Sequence, residues 1–221
     1  MKRRPEPELM EGVEQALAYA RADFSESNSL FMKLLEQQRP GPLRGACALD
    51  LGCGPADIVR RFLRTYPAAT CDALDGSAEM LDLAHAALDP LPDLAARYRL
   101  LCECLPSPRL PAAHYDLILS NSLLHHLHNP QVLWDTVRHT ARPGALVLVM
   151  DLMRPASAGW AEALVVTYAA DAPEVLKSDF RNSLFAAFEP QEVVAQLAEA
   201  GLTGLEVAVV SDRHLAVFGR L

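Results

Sequence analysis

Four carboxylates and two imidazoles stand where short apolar runs end. Asp50 closes the run 46–51, Asp75 closes 70–75, Glu103 follows 98–102, His125 and His126 follow 115–120, and Asp151 follows 145–150. Acids at the carboxyl ends of strands face the ligand crevice of an open α/β sheet. Asp50 leads into Leu51-Gly52-Cys53-Gly54, a bend where two residues without a Cβ let a ligand approach the main chain. A dinucleotide would need a third glycine three positions after Gly54, to cradle pyrophosphate at a helix N-terminus. Position 57 is Asp instead, so a ligand that carries positive charge suits the turn better. Asp75 lies about 20 residues beyond the bend, where an acid accepts hydrogen bonds from ribose hydroxyls. Gly76 and Ser77 continue its loop.

His125, His126 and His128 raise the question of a metal. Adjacent residues diverge on a regular backbone, and no carboxylate follows at ligand spacing, so no metal is expected. Cys102-x-Cys104 is not a zinc spacing either. An imidazole near neutrality can instead take a substrate proton, or simply pack.

The elements that position these groups follow from periodicity. Residues 46–51, 70–75, 98–102, 115–120 and 145–150 read as buried strands. Segments 58–66, 78–88 and 132–140 carry helical spacing between them, with Ser77 as a cap and Pro67 as a stop. Strands that alternate with helices make a parallel α/β sheet. Two helices in 8–38 precede the sheet, and Pro40-Gly41-Pro42 ends them. Residues 156–189 are not needed for the sheet. Their mixture of aromatic and polar side chains suits a substrate cap. An amphipathic helix from Pro190 to Gly201 leads to two last apolar runs, 205–210 and 215–219, which form a closing pair. The division is a single domain, 1–221: a helical leader 1–40, a cofactor core 43–155, a cap 156–189, and a closing helix and strand pair 190–221.

The chain has 221 residues, is 51% apolar and carries a net charge of −8. That is enough for one sizeable core. Its only basic run is Lys2-Arg3-Arg4, which reads as a solvated tail. Nucleic acid is therefore a poor partner, since phosphate binding needs clustered Lys and Arg. No stretch has the length and apolarity of a membrane span or a signal peptide. Five cysteines, an odd count, suggest reduced thiols and a cytoplasmic protein. Oligomeric state is not legible, a homodimer among the options.

The bend resembles the first motif of class I S-adenosylmethionine (SAM)-dependent methyltransferases, D-x-G-x-G-x-G. Asp50, Gly52 and Gly54 match it, and Ala56 stands at the third glycine. Asp75-Gly76-Ser77-Ala78-Glu79-Met80-Leu81 matches the family's D-x-S-x-x-M-L, and Tyr115-Asp116-Leu117-Ile118 its F-D-L-V. The resemblance implies a Rossmann-like seven-stranded sheet with the last strand antiparallel and helices on both faces. It implies SAM as cofactor and transfer to a small organic acceptor. Asp50, Gly52, Gly54, Asp75 and Gly76 would form the cofactor site. Glu103 would stand for the acid that meets adenine, Tyr19 of the leader would reach the methionine carboxylate, and Ser120 would line the transfer cleft. His125, His126 and Asp151, in that order, are candidates for a base. Two other classes compete: a protein that binds SAM without transfer and acts as a partner subunit, and a nicotinamide-dependent oxidoreductase. Asp57 and the missing glycine argue against the latter.

Overall fold

The computed structural model describes residues 1–9, 12–38 and 45–221. The Pro40-Gly41-Pro42 breaker and the expected core boundary at 43 lie outside them. Two leader helices, α1 (Val13–Arg21) and α2 (Ser25–Gln38), precede the sheet. The core then alternates β1 (Cys47–Leu51), α3 (Asp57–Thr65), β2 (Thr70–Asp75), α4 (Ala78–Leu88), β3 (Tyr98–Cys102) and β4 (Tyr115–Asn121). A 3-10 turn (Leu124–His126) leads to α5 (Gln131–Thr140) and β5 (Ala141–Leu152). Helices α6 (Ala158–Ala169), α7 (Glu174–Ala186) and α8 (Pro190–Glu199) and strands β6 (Glu206–Val209) and β7 (His214–Arg220) complete the chain.

The strands form one seven-stranded sheet in the order β3-β2-β1-β4-β5-β7-β6. Only β7 is reversed, antiparallel to both β5 and β6. Strand order changes direction at β1, whose neighbours are β2 and β4. A crevice opens at such a switch point, beyond the carboxyl ends of the strands.

Strand alternation divides the core into two layers. Ala48, Leu117, Leu119, Leu146, Leu148 and Met150 pack with Phe31 and Leu35 of α2 and Val59, Phe62 and Leu63 of α3. Leu49, Leu51, Ile118, Val147 and Val149 face the other way, onto Trp134 and Val137 of α5 and Val193 and Leu197 of α8. The buried Trp134 indole N–H donates to Gln196 Oε1 at 3.0 Å, so its polar atom is satisfied. Strand β5 starts at Ala141, four residues before the apolar run. Ala141 pairs with Tyr115, the next pair is Leu117 with Leu146, and the irregularity between them absorbs Arg142-Pro143-Gly144.

Two expectations are corrected. Arg3 is not part of a solvated tail: its guanidinium donates to the carbonyls of Ala186, His125 and Leu127 at 2.5, 2.9 and 3.0 Å. The Arg4 N–H donates to Phe185 O at 2.9 Å, so residues 1–9 form a strap along α7 and the 3-10 turn. The second correction concerns 156–189. Helices α6 and α7 pack on each other through Ala161, Leu164, Val165 and Leu184 and back the strap. Trp160 and Tyr168, which suggested a pocket lining, face outward. No described helix is long and apolar enough to cross a membrane.

The bend after β1 is tied to β2: the N–H groups of Gly52 and Cys53 both donate to Leu74 O, at 2.8 and 3.0 Å. Gly52 has φ +72°, and a Cβ there would lie 2.9 Å from Leu123 Cβ and Cδ1. Gly52→Ala therefore combines left-handed strain with a clash and should cost about 1–3 kcal/mol of stability. Urea unfolding of the two proteins measures it, and equal midpoints would refute the assignment.

Candidate active site

A cavity of about 770 Å³ lies at the switch point. Asp50, Gly52 and Gly54 of the first turn, Asp75, Gly76 and Ser77 of the second, and Glu103 after β3 form its floor. Glu8, Leu9, Leu17, Tyr19, Phe24 and Asn28 of the strap and leader stand across from them, with Asn121, Ser122, Leu123 and His126 at one side. Among the described residues, none of 156–189 is on this wall. The leader covers the crevice, in place of the expected cap.

Asp50 is 1% exposed, and neither carboxylate oxygen has a hydrogen-bond partner. Burial, and then the charge of Asp75, push its pKa up to about 8. A buried anion without a partner is costly, and a cation beside it removes the cost. Asp75 differs. Its Oδ2 accepts from Gly54 N–H at 2.8 Å and its Oδ1 from Ser77 N–H at 2.9 Å. Burial raises its pKa, and these amides oppose the rise. Asp75 thus braces both turns while it lines the cavity. Gly54, at φ +51°, leaves the space beside its Cα open. Ser77 caps α4 by accepting from Met80 N–H at 3.2 Å.

The other anticipated cofactor residues are placed unevenly. Glu103 lines the cavity, but Arg109 Nη1 and Ser107 Oγ hold its oxygens at 3.1 and 3.2 Å. Tyr19 stands opposite, packed on Phe24 with ring centroids 4.6 Å apart. Burial, then the charges of Asp75 and Asp151, push its hydroxyl up to about 12. Ser120 does not reach the cavity: it is fully buried and donates to Leu51 O at 2.8 Å, tying β4 to β1. Asn121, one residue on, does reach it. Its Nδ2 donates to Asn28 Oδ1 at 3.2 Å, and Asn28 Nδ2 donates to Asp57 Oδ2 at 2.8 Å. Asn28 carried no sequence signal of a site, because a polar residue on an otherwise amphipathic helix reads as solvent-facing. Asp57 does not present an open charge to a ligand, since Arg60 and Arg61 both pair with it.

The histidines converge, contrary to expectation. The 3-10 turn sets the rings of His125 and His126 4.1 Å apart. His125 is buried, and its Nδ1–H donates to Asp151 Oδ1 at 2.5 Å. Asp151 also accepts from the N–H groups of His125 and Leu152, at 3.2 and 2.6 Å. Burial disfavours both charges, yet the pairing wins: the His125 pKa is raised and that of Asp151 lowered. Neither lines the cavity, whereas His126 does. Burial, then charge on His125, lower the His126 pKa to about 3.

Residues 49–147 match the family model described as a methyltransferase domain. The chain is 28% identical over 122 residues to a malonyl-[acyl-carrier protein] O-methyltransferase of Halalkalibacterium halodurans, covering 55% of this chain and 45% of that protein. It is 31% identical over 104 residues to a trans-aconitate 2-methyltransferase of an Azoarcus species, covering 47% and 38%. The chain spans about half the length of the curated relatives it matches, or less. In fold it is similar to a SAM-dependent methyltransferase from Aquifex aeolicus, with TM-score 0.67, 18% identity and coverage of 96% and 99%. It is also similar to the plantazolicin methyltransferase BpumL solved with a desmethyl analogue and S-adenosylhomocysteine, with TM-score 0.68, 14% identity and coverage of 94% and 89%. The match over 49–147 takes in the glycine bend, and the sheet order is that of the fold shared with these solved SAM-dependent methyltransferases. The unpartnered Asp50 carboxylate and the open face at Gly54 fit that cofactor, whose ammonium and sulfonium groups are both positive.

Asp75→Asn keeps the size of the side chain but removes the charge and one acceptor face. S-adenosylhomocysteine affinity should fall at least about tenfold, with a melting temperature lowered by a few degrees, because two turns lose a charge-assisted brace. Calorimetric affinity equal to wild type would remove Asp75 from the cofactor site.

Proposed function

We propose that this chain transfers a methyl group from SAM to a small organic acceptor whose nucleophilic atom arrives already ionised, a carboxylate above all. The observation that carries the reading is the state of the two imidazoles. His126, on the cavity wall, has a pKa near 3 and draws a proton only weakly. His125 is tied to Asp151 through Nδ1, a pairing that raises its pKa, and is away from the wall. Neither is poised as a general base, whose pKa belongs near the working pH. An acceptor that needs no proton removed suits this site best.

SAM bound here supplies an electrophilic methyl on a positive sulfur, so no further activation of the donor is required. The chain's own part is to bind and to align. Asp50 takes the amino group, and Gly52 and Gly54 leave room for the methionine backbone. Asp75 takes the ribose hydroxyls, and Glu103 stands on the adenine side. Tyr19, Leu9 and the strap close the crevice, which excludes water and holds the reactants near each other. A cavity of about 770 Å³ lies inside the range of roughly 300–1,000 Å³ for small-ligand sites, and leaves space beside the cofactor for a small acceptor. The names of two relatives, a malonyl-[acyl-carrier protein] O-methyltransferase and a trans-aconitate 2-methyltransferase, favour an acidic acceptor. Among the described residues all five cysteines are free, which suits a reducing compartment such as the cytoplasm.

The test is a competition among acceptors. The protein is incubated with SAM and matched sets of small carboxylic acids, their thioesters, phenols and catechols, and methyl esters and ethers are separated by chromatography. Methyl ester formation, with a rate flat between about pH 6.5 and 8.5 once the cofactor is saturating, is expected. Transfer confined to phenols, with a rate that climbs as a base deprotonates, would overturn the carboxylate reading.

A further inference from the structure

The strap brings a third ligand to the paired histidines. Glu6, His125 and His126 each offer one ligand atom, and these atoms lie within 4.8 Å of one another. His126 Nδ1 is 3.2 Å and His125 Nε2 is 3.5 Å from Glu6 Oε1. Three donors around a tetrahedral zinc stand roughly 3.3 Å apart, given bonds of about 2.0–2.1 Å to nitrogen. His126 Nδ1 is buried and makes no hydrogen bond, despite its closeness to Glu6. Two imidazoles and one carboxylate, with a coordination position left over, are a ligand set used by catalytic zinc sites.

The surroundings are those of a ligand set. A metal-bound histidine gives its other ring N–H to a carboxylate, and ligating carboxylates are themselves hydrogen-bonded. His125 gives Nδ1–H to Asp151 at 2.5 Å, which turns Nε2 toward Glu6. Glu6 Oε1 accepts from Ser183 Oγ at 2.9 Å. Asp179 has a buried oxygen without a partner, and its charge acts on Glu6. Without a cation, two carboxylates and an unpartnered nitrogen are crowded together beside the strap, which nothing in the transfer reaction calls for.

We infer that Glu6, His125 and His126 form a site for one divalent first-row transition metal, zinc by preference, at the edge of the cavity. Binding uses His125 with Nε2 free of a proton, while its Nδ1–H stays hydrogen-bonded to Asp151. Because Glu6 belongs to the strap, the ion would also fasten the strap over the crevice. The inference rests on the ligand geometry and not on the methyl-transfer reading.

The experiment uses tag-free full-length protein stripped with a chelator, then dialysed against zinc, with bound metal measured by elemental analysis. Cobalt substitution gives an independent optical readout of the coordination. Wild type should hold one equivalent. Glu6→Gln and Asp151→Asn should each weaken binding at least about tenfold while their far-ultraviolet circular dichroism is unchanged. S-adenosylhomocysteine affinity is measured on the same wild-type sample. Cofactor binding without zinc binding overturns the metal site and leaves the methyltransferase reading standing. Zinc bound equally by wild type and both variants also overturns it, since the ion then sits elsewhere.

Discussion

One buried acid without a partner sets the terms for this molecule. Asp50 ends the central strand, buried, with both carboxylate oxygens unpartnered. Such a group is relieved in one of two ways, by taking up a proton, which its raised pKa favours, or by a cation bound beside it. The neighbouring features make sense around that acid. The glycine bend removes side chains from one flank, and the parallel strands β1, β2 and β4 bring Asp75 and Asn121 to the same end of the sheet. Asp75 contributes a second negative charge that raises the cost for Asp50, so the two acids together form a stronger trap for a cation than either alone.

The two acids do different work because their amide environments differ. Asp75 accepts from the backbone N–H groups of Gly54 and Ser77, among others, and so stabilises its turns in the absence of ligand. Asp50 accepts none from the atoms about it. On the far side, the His125–Asp151 pair is a closed unit: three N–H groups converge on one carboxylate. Arg3 caps the carbonyls of His125 and Leu127, so the strap, the 3-10 turn and α7 are held as one layer. The strap's acids then meet that layer's imidazoles.

The sheet was legible in the amino-acid order because the first three strands are short, largely apolar runs that end at an acid or beside one; β2 and β3 begin and end at the residues that periodicity gives. Asp50, Gly52, Gly54 and Asp75 were legible for the same reason, as breaks in a strong local pattern. What was missed depends on distance along the chain. Arg3 meets His125 across 122 positions and Ser183 meets Glu6 across 177, and no local spacing signals either contact. The aromatic content of 156–189 suggested a pocket, but Trp160 is 63% exposed and α6 uses small and branched residues to pack. The histidine pair was misjudged through the assumption of a regular backbone. A 3-10 turn of three residues stacks neighbouring rings that a strand would send to opposite faces.

The central claim is that the Asp50 carboxylate waits for the cofactor's positive charge, and its titration reports that directly. Carbon-13 labelling of aspartate allows the Asp50 carboxyl resonance to be followed with pH in the free protein and with SAM. In the free protein it should titrate near pH 8. SAM favours the ionised form, so the same resonance should then titrate well below neutrality, and affinity for SAM should rise with pH up to about 8 and level off. A resonance that titrates in the ordinary carboxylate range without ligand, or one that SAM leaves unmoved, would contradict the account.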